Sequence, residues 1–511
     1  MKCKKEETNL NSATAAGAPH RDLGEVKRLP ILISLIIGAF FSILNETLLN
    51  IAFYDLTIDL EVPYSTIQWL STSYMLTVGI LIPVSALLVQ WFTTRQMFLG
   101  AMILFSLGTL ICGLAPEFPV LLVGRIVQAL GTGLMLPVMM NTILILYPPE
   151  KRGAAMGSMG LVIMFAPAIG PTLSGLILES LHWRWLFFLV LPFAIFAVIF
   201  AAAFLKNVSD VTKPRVDILS ILLSTIGFGG IVFGFSSAGE GGAGGEGHAG
   251  WSSPQVYWSI IVGGVALLLF IWRQLKSREP MLDLRAFKFP MFGLTAVLLI
   301  IVMMSLFSTM LLLPIFLQQG LLMTAFAAGL VMLPGGALNG VLSPFMGRLF
   351  DKFGPRVLVI PGTILLIAVM YMFTRINLET TSGYLILLHC LMMVALAMIM
   401  MPAQTNGLNQ LPRRYYPHGT AILNTLQQVA GAIGVAFFIS IMTRGSNRYL
   451  AGSSDPTSPQ ELLVALKEGV QGSFHIGMYL AIGALVLALF IRRTKAPEEQ
   501  AAQATQSQAP H

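Results

Sequence analysis

Hydrophobic and polar residues segregate along this chain into long blocks, unlike the strict alternation of a half-buried strand or the helical spacing of a surface helix. Fourteen mostly apolar stretches run approximately over 30–53, 66–90, 97–116, 119–143, 154–178, 185–205, 217–236, 255–274, 291–318, 324–346, 356–375, 383–405, 420–443 and 474–492. A helix needs about 20 such residues to cross ~30 Å of hydrocarbon, and in lipid it must close its backbone hydrogen bonds within itself. The pattern therefore predicts an all-α membrane protein with 14 transmembrane helices. An even number of crossings returns both termini to one side.

Composition narrows the class. Of 511 residues, 55% are apolar and 11% charged, against about 25% charged in a soluble domain. A soluble enzyme, a disordered chain and a nucleic-acid-binding protein are excluded on that ground. The net charge of +7 has a topological explanation. With the N-terminus in the cytoplasm, all but six of the 31 Lys and Arg fall in the tails and inner loops, as the positive-inside rule requires. The exceptions are Arg125 within a span and Arg184, Arg375, Arg444, Arg448 and Lys467 outside. The last three lie in the long loop expected before the final helix. A multi-pass protein of the cell membrane, with both termini cytoplasmic and its cations against anionic lipid, is the expectation. Cys3, Cys112 and Cys390 form no CxxC or Cys/His cluster, so no disulfide framework, metal site or cofactor is implied.

The chain divides into a cytoplasmic tail (1–29), a six-helix bundle (30–206), an inserted helix pair (207–288), a second six-helix bundle (289–493) and a C-terminal tail (494–511). The N-terminal tail lacks the apolar core of a signal peptide. Gly239 to Gly250 reads as a low-complexity outer connector. The halves echo each other. The connection after the tenth span contains Gly347, Arg348, Asp351, Lys352, Gly354, Pro355 and Arg356; the one after the second keeps the spacing in Ala86 to Arg95, with Gln90 and Thr93 at the aspartate and glycine positions. Repeated bundles around a midplane site are the plan of secondary transporters.

Charges inside a span are costly, at roughly 2.5 to 3.5 kcal/mol each on insertion scales. Of 24 Asp and Glu, Glu46 alone sits well inside an apolar run. It is a candidate for proton coupling or cation binding; the alternative is a glutamate that fixes helix packing. Arg125 is the one cation within a span, read either as a buried partner of Glu46 and Gln128 or as a side chain snorkelling to the interface. The fifth span carries Pro167, Gly170, Pro171, Ser174 and Gly175, which suit a bent, small-faced gate helix. Asp351 and Arg356 flank a tight connection, and the neighbouring Arg348 and Lys352 can pair with Asp351, which suits a weak latch that opens in each cycle. Polar residues on expected inner faces are Asn45, Asn50, Gln68, Tyr74, Gln128, Asn339, Gln404, Asn424, Gln427 and Gln428. His389 reads as packed. Gly234 to Ser237 has the form of an intramembrane serine protease motif, but it opens a flexible loop and fourteen helices are too many. ATP drive is disfavoured, since no GxxxxGK[ST] occurs.

Together these motifs resemble the 14-helix drug:proton antiporters of the major facilitator superfamily, over about residues 30–493, and look most like the lincomycin-resistance type of multidrug efflux protein of Gram-positive bacteria. The first-helix motif stands as Leu44-Asn45-Glu46-Thr47 with Leu49-Asn50. The fourth-helix motif falls on Gly124, Arg125, Gln128, Gly131, Gly133 and Pro137, and the antiporter motif on Ala166, Pro167, Gly170, Pro171 and Gly175. The resemblance implies two pseudo-symmetric bundles arranged 6+2+6 and export of amphipathic drugs by alternating access. It assigns proton coupling to Glu46 and Arg125, gating to the antiporter motif, and a cytoplasmic latch to Gly347, Arg348, Asp351, Lys352, Gly354 and Arg356. A drug-like small molecule, protons and lipid are the implied partners of a monomer that is not an enzyme. Antiport of a monovalent cation or metal complex is the alternative. The acid stands one residue beyond the usual position, about 100° around the helix.

Overall fold

The computed structural model describes residues 28–494 apart from 63, 68, 209–210, 212–216, 241–250, 252, 278–279 and 454. Nearly all of both tails, Gln68 and nearly all of the glycine-rich connector therefore lie outside the described residues. The described chain contains 14 helices long and apolar enough to cross a membrane. They are α1 (Arg28–Ile51), α2 (Trp69–Trp91), α3 (Thr94–Leu114), α4 (Phe118–Leu146), α5 (Arg152–Ser180), α6 (Trp185–Phe204), α7 (Ile218–Glu240), α8 (Pro254–Lys276), α9 (Pro290–Ile315), α10 (Ala325–Phe353), α11 (Arg356–Phe373), α12 (Ser382–Asn409), α13 (Tyr416–Leu450) and α14 (Pro459–Leu489). No strand occurs among the described residues. The connections after the even-numbered helices carry most of the Lys and Arg; that end is called the basic end below, and the opposite one the far end.

Helices α1 to α6 pack into one bundle and α9 to α14 into another. The echo between the halves has a structural counterpart. Arg95, at the start of α3, donates from Nη2 to the Ala202 carbonyl in the last turn of α6, at 2.5 Å. Arg356, at the start of α11, donates to Ile491 and Leu489 at the end of α14, at 3.0 and 3.2 Å. Each arginine thus satisfies orphan carbonyls at the C-terminus of its bundle's last helix, where a cation is also favoured by the helix dipole. The first loop copy has otherwise changed its chemistry. Gln90 donates back to Ala86 of its own helix at 2.8 Å, and Thr93 forms a capping box with Gln96 at the start of α3. In the second copy Gly354 terminates α10 at φ +82°, a conformation that disfavours any side chain.

The inserted pair is joined through glycines: a Cβ on Gly230 would lie 2.9 Å from Gly263 Cα. Helix α7 lies against both α2 and α13, so it bridges the bundles, while α8 turns Trp258, Val265, Leu268 and Trp272 outward. Asp217 and Arg273 clasp the pair at the basic end, with nitrogen to oxygen distances of 2.8 and 2.9 Å. Hydrogen bonds from Arg273 and Ser220 hold the Asp217 carboxyl at about 2.

One sequence expectation needs correction. The stretch before the last span is largely helical: α13 runs on to Leu450 and α14 begins at Pro459, leaving a short turn. The extension is polar, with Arg444, Arg448, Glu461, Lys467 and Glu468. It is held by packing, since Ser446 Oγ donates to the Ala465 carbonyl at 2.8 Å and Gly469 lies on the Met442 backbone. Hydropathy measures the part of a helix that meets hydrocarbon and misses a hairpin protruding beyond it.

Candidate functional site

Arg125 is 1% exposed and lies in the far-end part of the first bundle. Its surroundings follow from helix spacing. Arg125, Gln128 and Thr132, at i, i+3 and i+7, share one face of α4, and glycines on the α3 side draw the two helices together. A Cβ on Gly124 would lie 2.7 Å from Cys112 Sγ, one on Gly108 2.7 Å from Gln128 Cα, and one on Gly131 2.7 Å from the Phe105 nitrogen. This close approach brings Thr109 of α3 to Gln128.

The result is a buried polar network spanning four helices. Arg125 Nη1 donates to Gln128 Oε1 at 2.7 Å and, at 3.5 Å, to Asn45 Oδ1 of α1; Nε donates to the Leu70 carbonyl of α2 at 3.5 Å. The guanidinium stands 4.0 Å from the centre of the Tyr74 ring. Gln128 donates onward to Thr109 at 2.7 Å, and the Tyr74 hydroxyl donates to Thr132 at 2.7 Å. A buried guanidinium keeps its charge, so acceptors and the electron-rich ring face offset its desolvation. The snorkelling alternative for Arg125 is thereby set aside. The expected contact with Gln128 is present.

Glu46 makes no ion pair with Arg125 within 4.0 Å, yet lies within its electrostatic reach and that of Tyr74. The reason is helical geometry: Asn45 takes the position that faces the guanidinium, and the acid one residue on is turned about 100° away. Asn45 is fully buried and Glu46 half-buried. The expected partnership is therefore not a direct contact; Asn45 meets the guanidinium instead.

Helix α5 joins this region to the bundle interface. It is continuous through Pro167 and Pro171. A Cβ on Gly170 would lie 2.8 Å from Thr47 Cβ, and Ser174 donates to the Leu48 carbonyl at 2.7 Å. The proline- and glycine-containing stretch of α5 thus bears on α1 at the residue after Glu46. Farther along, α5 runs beside α10 of the other bundle, where Gly175 faces Phe326, and nearer the basic end Gly157 and Gly160 face Ser343.

At the basic end the bundles meet backbone to backbone. Gly153 of α5 and Gly347 of α10 leave no room for a Cβ between them. Asp351 Oδ1 accepts from the Gly153 amide at 2.8 Å and Oδ2 from the Ala154 amide at 3.0 Å, so a carboxylate of one bundle caps the helix N-terminus of the other. This corrects the expectation that Arg348 and Lys352 pair with Asp351. Arg348 instead lies over the Phe345 ring and Lys352 over the Phe353 ring, because their long side chains point outward from α10. Arg493 donates to the Asp351 carbonyl oxygen at 2.8 Å.

Arg152 adds a second clasp that sequence reasoning missed. Its guanidinium donates to Leu144 and Tyr147 carbonyls of its own bundle at 2.8 and 3.0 Å. It also donates to Asn409 Oδ1 of the other bundle at 3.0 Å and lies 5.0 Å from the Tyr416 ring centre. A third feature, at the far end, is Asp59, which accepts from Trp183 at 2.9 Å and Arg184 at 3.2 Å beside His182. The Trp183 N–H, with His182 and Arg184, holds its carboxyl below the usual range.

The expected cavity residues do not gather in one place. Asn45, Tyr74 and Gln128 belong to the Arg125 network. Gln404 and Asn424 lie near the basic end, both against Met140 Sδ of the first bundle at 3.7 and 3.1 Å. Asn339 donates to the Met393 carbonyl at 2.6 Å and joins α10 to α12. Gln427 and Gln428 are half-buried on α13, and the Gln427 amide nitrogen has no hydrogen-bond partner among the described residues. His389 is packed on Gly335 of α10, as expected.

Comparison with known proteins gives this geometry a family. Lincomycin resistance protein LmrB of Bacillus subtilis is 56% identical over 471 residues, covering 92% of this chain and 97% of the relative. Lincomycin resistance protein LmrB of Listeria monocytogenes is 52% identical, covering 92% and 98%. Among solved structures, the human organic anion transporter MFSD10 superposes with a TM-score of 0.62 at 13% identity, covering 91% of this chain and all of that one. The proton:xylose symporter XylE gives 0.62 at 14% identity, covering 91% and 96%. At such identities these two show the fold alone. The Major Facilitator Superfamily model matches residues 35–435, and with two bundles of six helices around an inserted pair, the chain belongs to that superfamily.

Proposed function

We propose that this protein exports amphipathic drugs or toxic small molecules in exchange for protons, by alternating access across the cell membrane. The basic end is cytoplasmic, both termini lie inside, and the protein works as a monomer without ATP and without covalent chemistry on its substrate. The observation that carries the reading is the chain of contacts from Glu46 to the seam. Glu46 neighbours Thr47, Thr47 bears on Gly170 of α5, and α5 meets α10 along the interface that Asp351 and Arg152 clasp. A change of charge at Glu46 alters its interaction with Arg125 and reaches the bundle interface through one continuous helix. The names of the LmrB relatives support a drug as cargo.

Closure at the basic end leaves Glu46 nearer the opposite compartment, the side from which protons enter. Each charge yields ~2.3 kcal/mol per 100 mV and each pH unit ~1.4 kcal/mol. One proton at 100 mV and one pH unit thus sustains a neutral-solute gradient of roughly 10² to 10³-fold. The test is a drug-susceptibility and efflux panel headed by lincomycin, in an efflux-deficient host with and without a protonophore. Expression should raise resistance to at least one amphipathic drug, and the protonophore should abolish its efflux. Efflux that survives collapse of the proton gradient would refute proton drive, and an unchanged susceptibility profile would refute drug export.

A further inference from the structure

Beside the seam, at the basic end, lies an open cleft of about 390 Å³ lined by Leu32, Tyr147, Lys151, Ala154, Ala155, Arg348 and Asp351. Its charges have different fates. Both Asp351 carboxylate oxygens accept α5 backbone amides, at 2.8 and 3.0 Å. Lys151 and Arg348 are exposed, and neither forms an ion pair within 4.0 Å with another of the described residues. Lys151 belongs to the first bundle and Arg348 to the second, so each bundle contributes one cation to the lining of the cleft. Val341, Phe345 and Leu349 form an exposed apolar strip on α10, and Arg348 stands over the Phe345 ring at 5.9 Å. A cation pair at the membrane boundary above an apolar strip matches a phosphate above an acyl chain.

We infer that this cleft binds an anionic glycerophospholipid, whose phosphate bridges Lys151 and Arg348 while an acyl chain lies along Val341, Phe345 and Leu349. A headgroup held by one cation from each bundle fastens the seam and favours the state closed at the basic end. A zwitterionic headgroup brings its own ammonium beside Lys151 and Arg348, so a headgroup with net negative charge is favoured. The inference rests on the membrane fold and the cleft, and is independent of proton coupling.

The test uses the full chain in detergent, with native mass spectrometry and thermal melting against added phosphatidylglycerol, phosphatidylethanolamine or inorganic phosphate. Phosphatidylglycerol should be retained and should raise the melting temperature, and the Lys151→Gln/Arg348→Gln double variant should weaken its binding by about 30-fold. Both side chains are exposed, and melting of the variant without lipid reports whether it remains folded; a Phe345→Ser variant provides an independent arm through the acyl chain. Retention that is unchanged in both variants would overturn the proposal. So would equally tight phosphatidylethanolamine, which would show that headgroup charge is not read. Displacement of the lipid by millimolar inorganic phosphate would identify a free-anion site instead.

Discussion

Replacing Gly347 with alanine perturbs the seam at its tightest point. A Cβ there would lie 2.5 Å from the Gly153 carbonyl carbon, 2.9 Å from the Ala154 nitrogen, and closer still to the Gly153 oxygen. Non-bonded carbons rest at about 3.5 to 4.0 Å, so α5 and α10 must separate by about 1 Å. The neighbour is backbone, which cannot rotate aside. Overpacking of this kind costs about 1 to 3 kcal/mol, whereas alanine in a helix interior stabilises the isolated helix by roughly 0.5 to 1 kcal/mol. The fold should therefore survive, and the penalty should fall on the state closed at the basic end. Its population relative to the open state should drop by about 5- to 150-fold. The assay is pulsed electron resonance between spin labels at Pro148 and Phe353, in a background without Cys3, Cys112 and Cys390. Gly347→Ala should shift the distribution to longer distances and slow efflux. Gly472→Ala, where a Cβ meets nothing within 4 Å, is the control. An unchanged distribution with wild-type efflux would refute the seam as a moving closure.

Two further outcomes follow from the charged networks. Arg125→Lys keeps the charge but loses the planar fork shared by Gln128, Asn45 and Leu70; transport should fall at least about tenfold with insertion intact, and a wild-type rate would mean that charge alone suffices. Asp217 has its folded carboxyl lowered to about 2, against about 3.9 unfolded, so the stability it contributes is present above about pH 4 and lost as pH falls toward 2. Asp217→Asn should lower the melting temperature at pH 7 and flatten its decline between pH 4 and 2; an identical acid limb would contradict the clasp.

The sequence revealed most of the fold because lipid imposes so simple a length rule. It missed the hairpin joining α13 and α14 for the same reason, since polar residues such as Arg444 and Glu468 protrude beyond the hydrocarbon and are held by tertiary packing. Arg125 was legible as a lone cation in an apolar run. Arg152 was not: its neighbours Glu150 and Lys151 make it look like one more topological marker, and only docking of Asn409 and Tyr416 buries it. Asp351 was legible as an acid in a charged connection, but its partners are backbone amides of Gly153 and Ala154, which carry no side-chain signature. The offset of Glu46 could be read from the helical period, whereas the contact of Asn45 with Arg125 required knowing which face of α1 meets α4.

Glu46→Gln keeps the size and most of the hydrogen-bonding capacity of the side chain and removes its titration. With the purified protein in proteoliposomes under an imposed pH gradient and labelled lincomycin as probe, wild-type transport should follow the gradient. The variant should insert normally and show no gradient-driven transport. A wild-type, gradient-dependent rate in the Glu46→Gln protein would contradict the account at its centre.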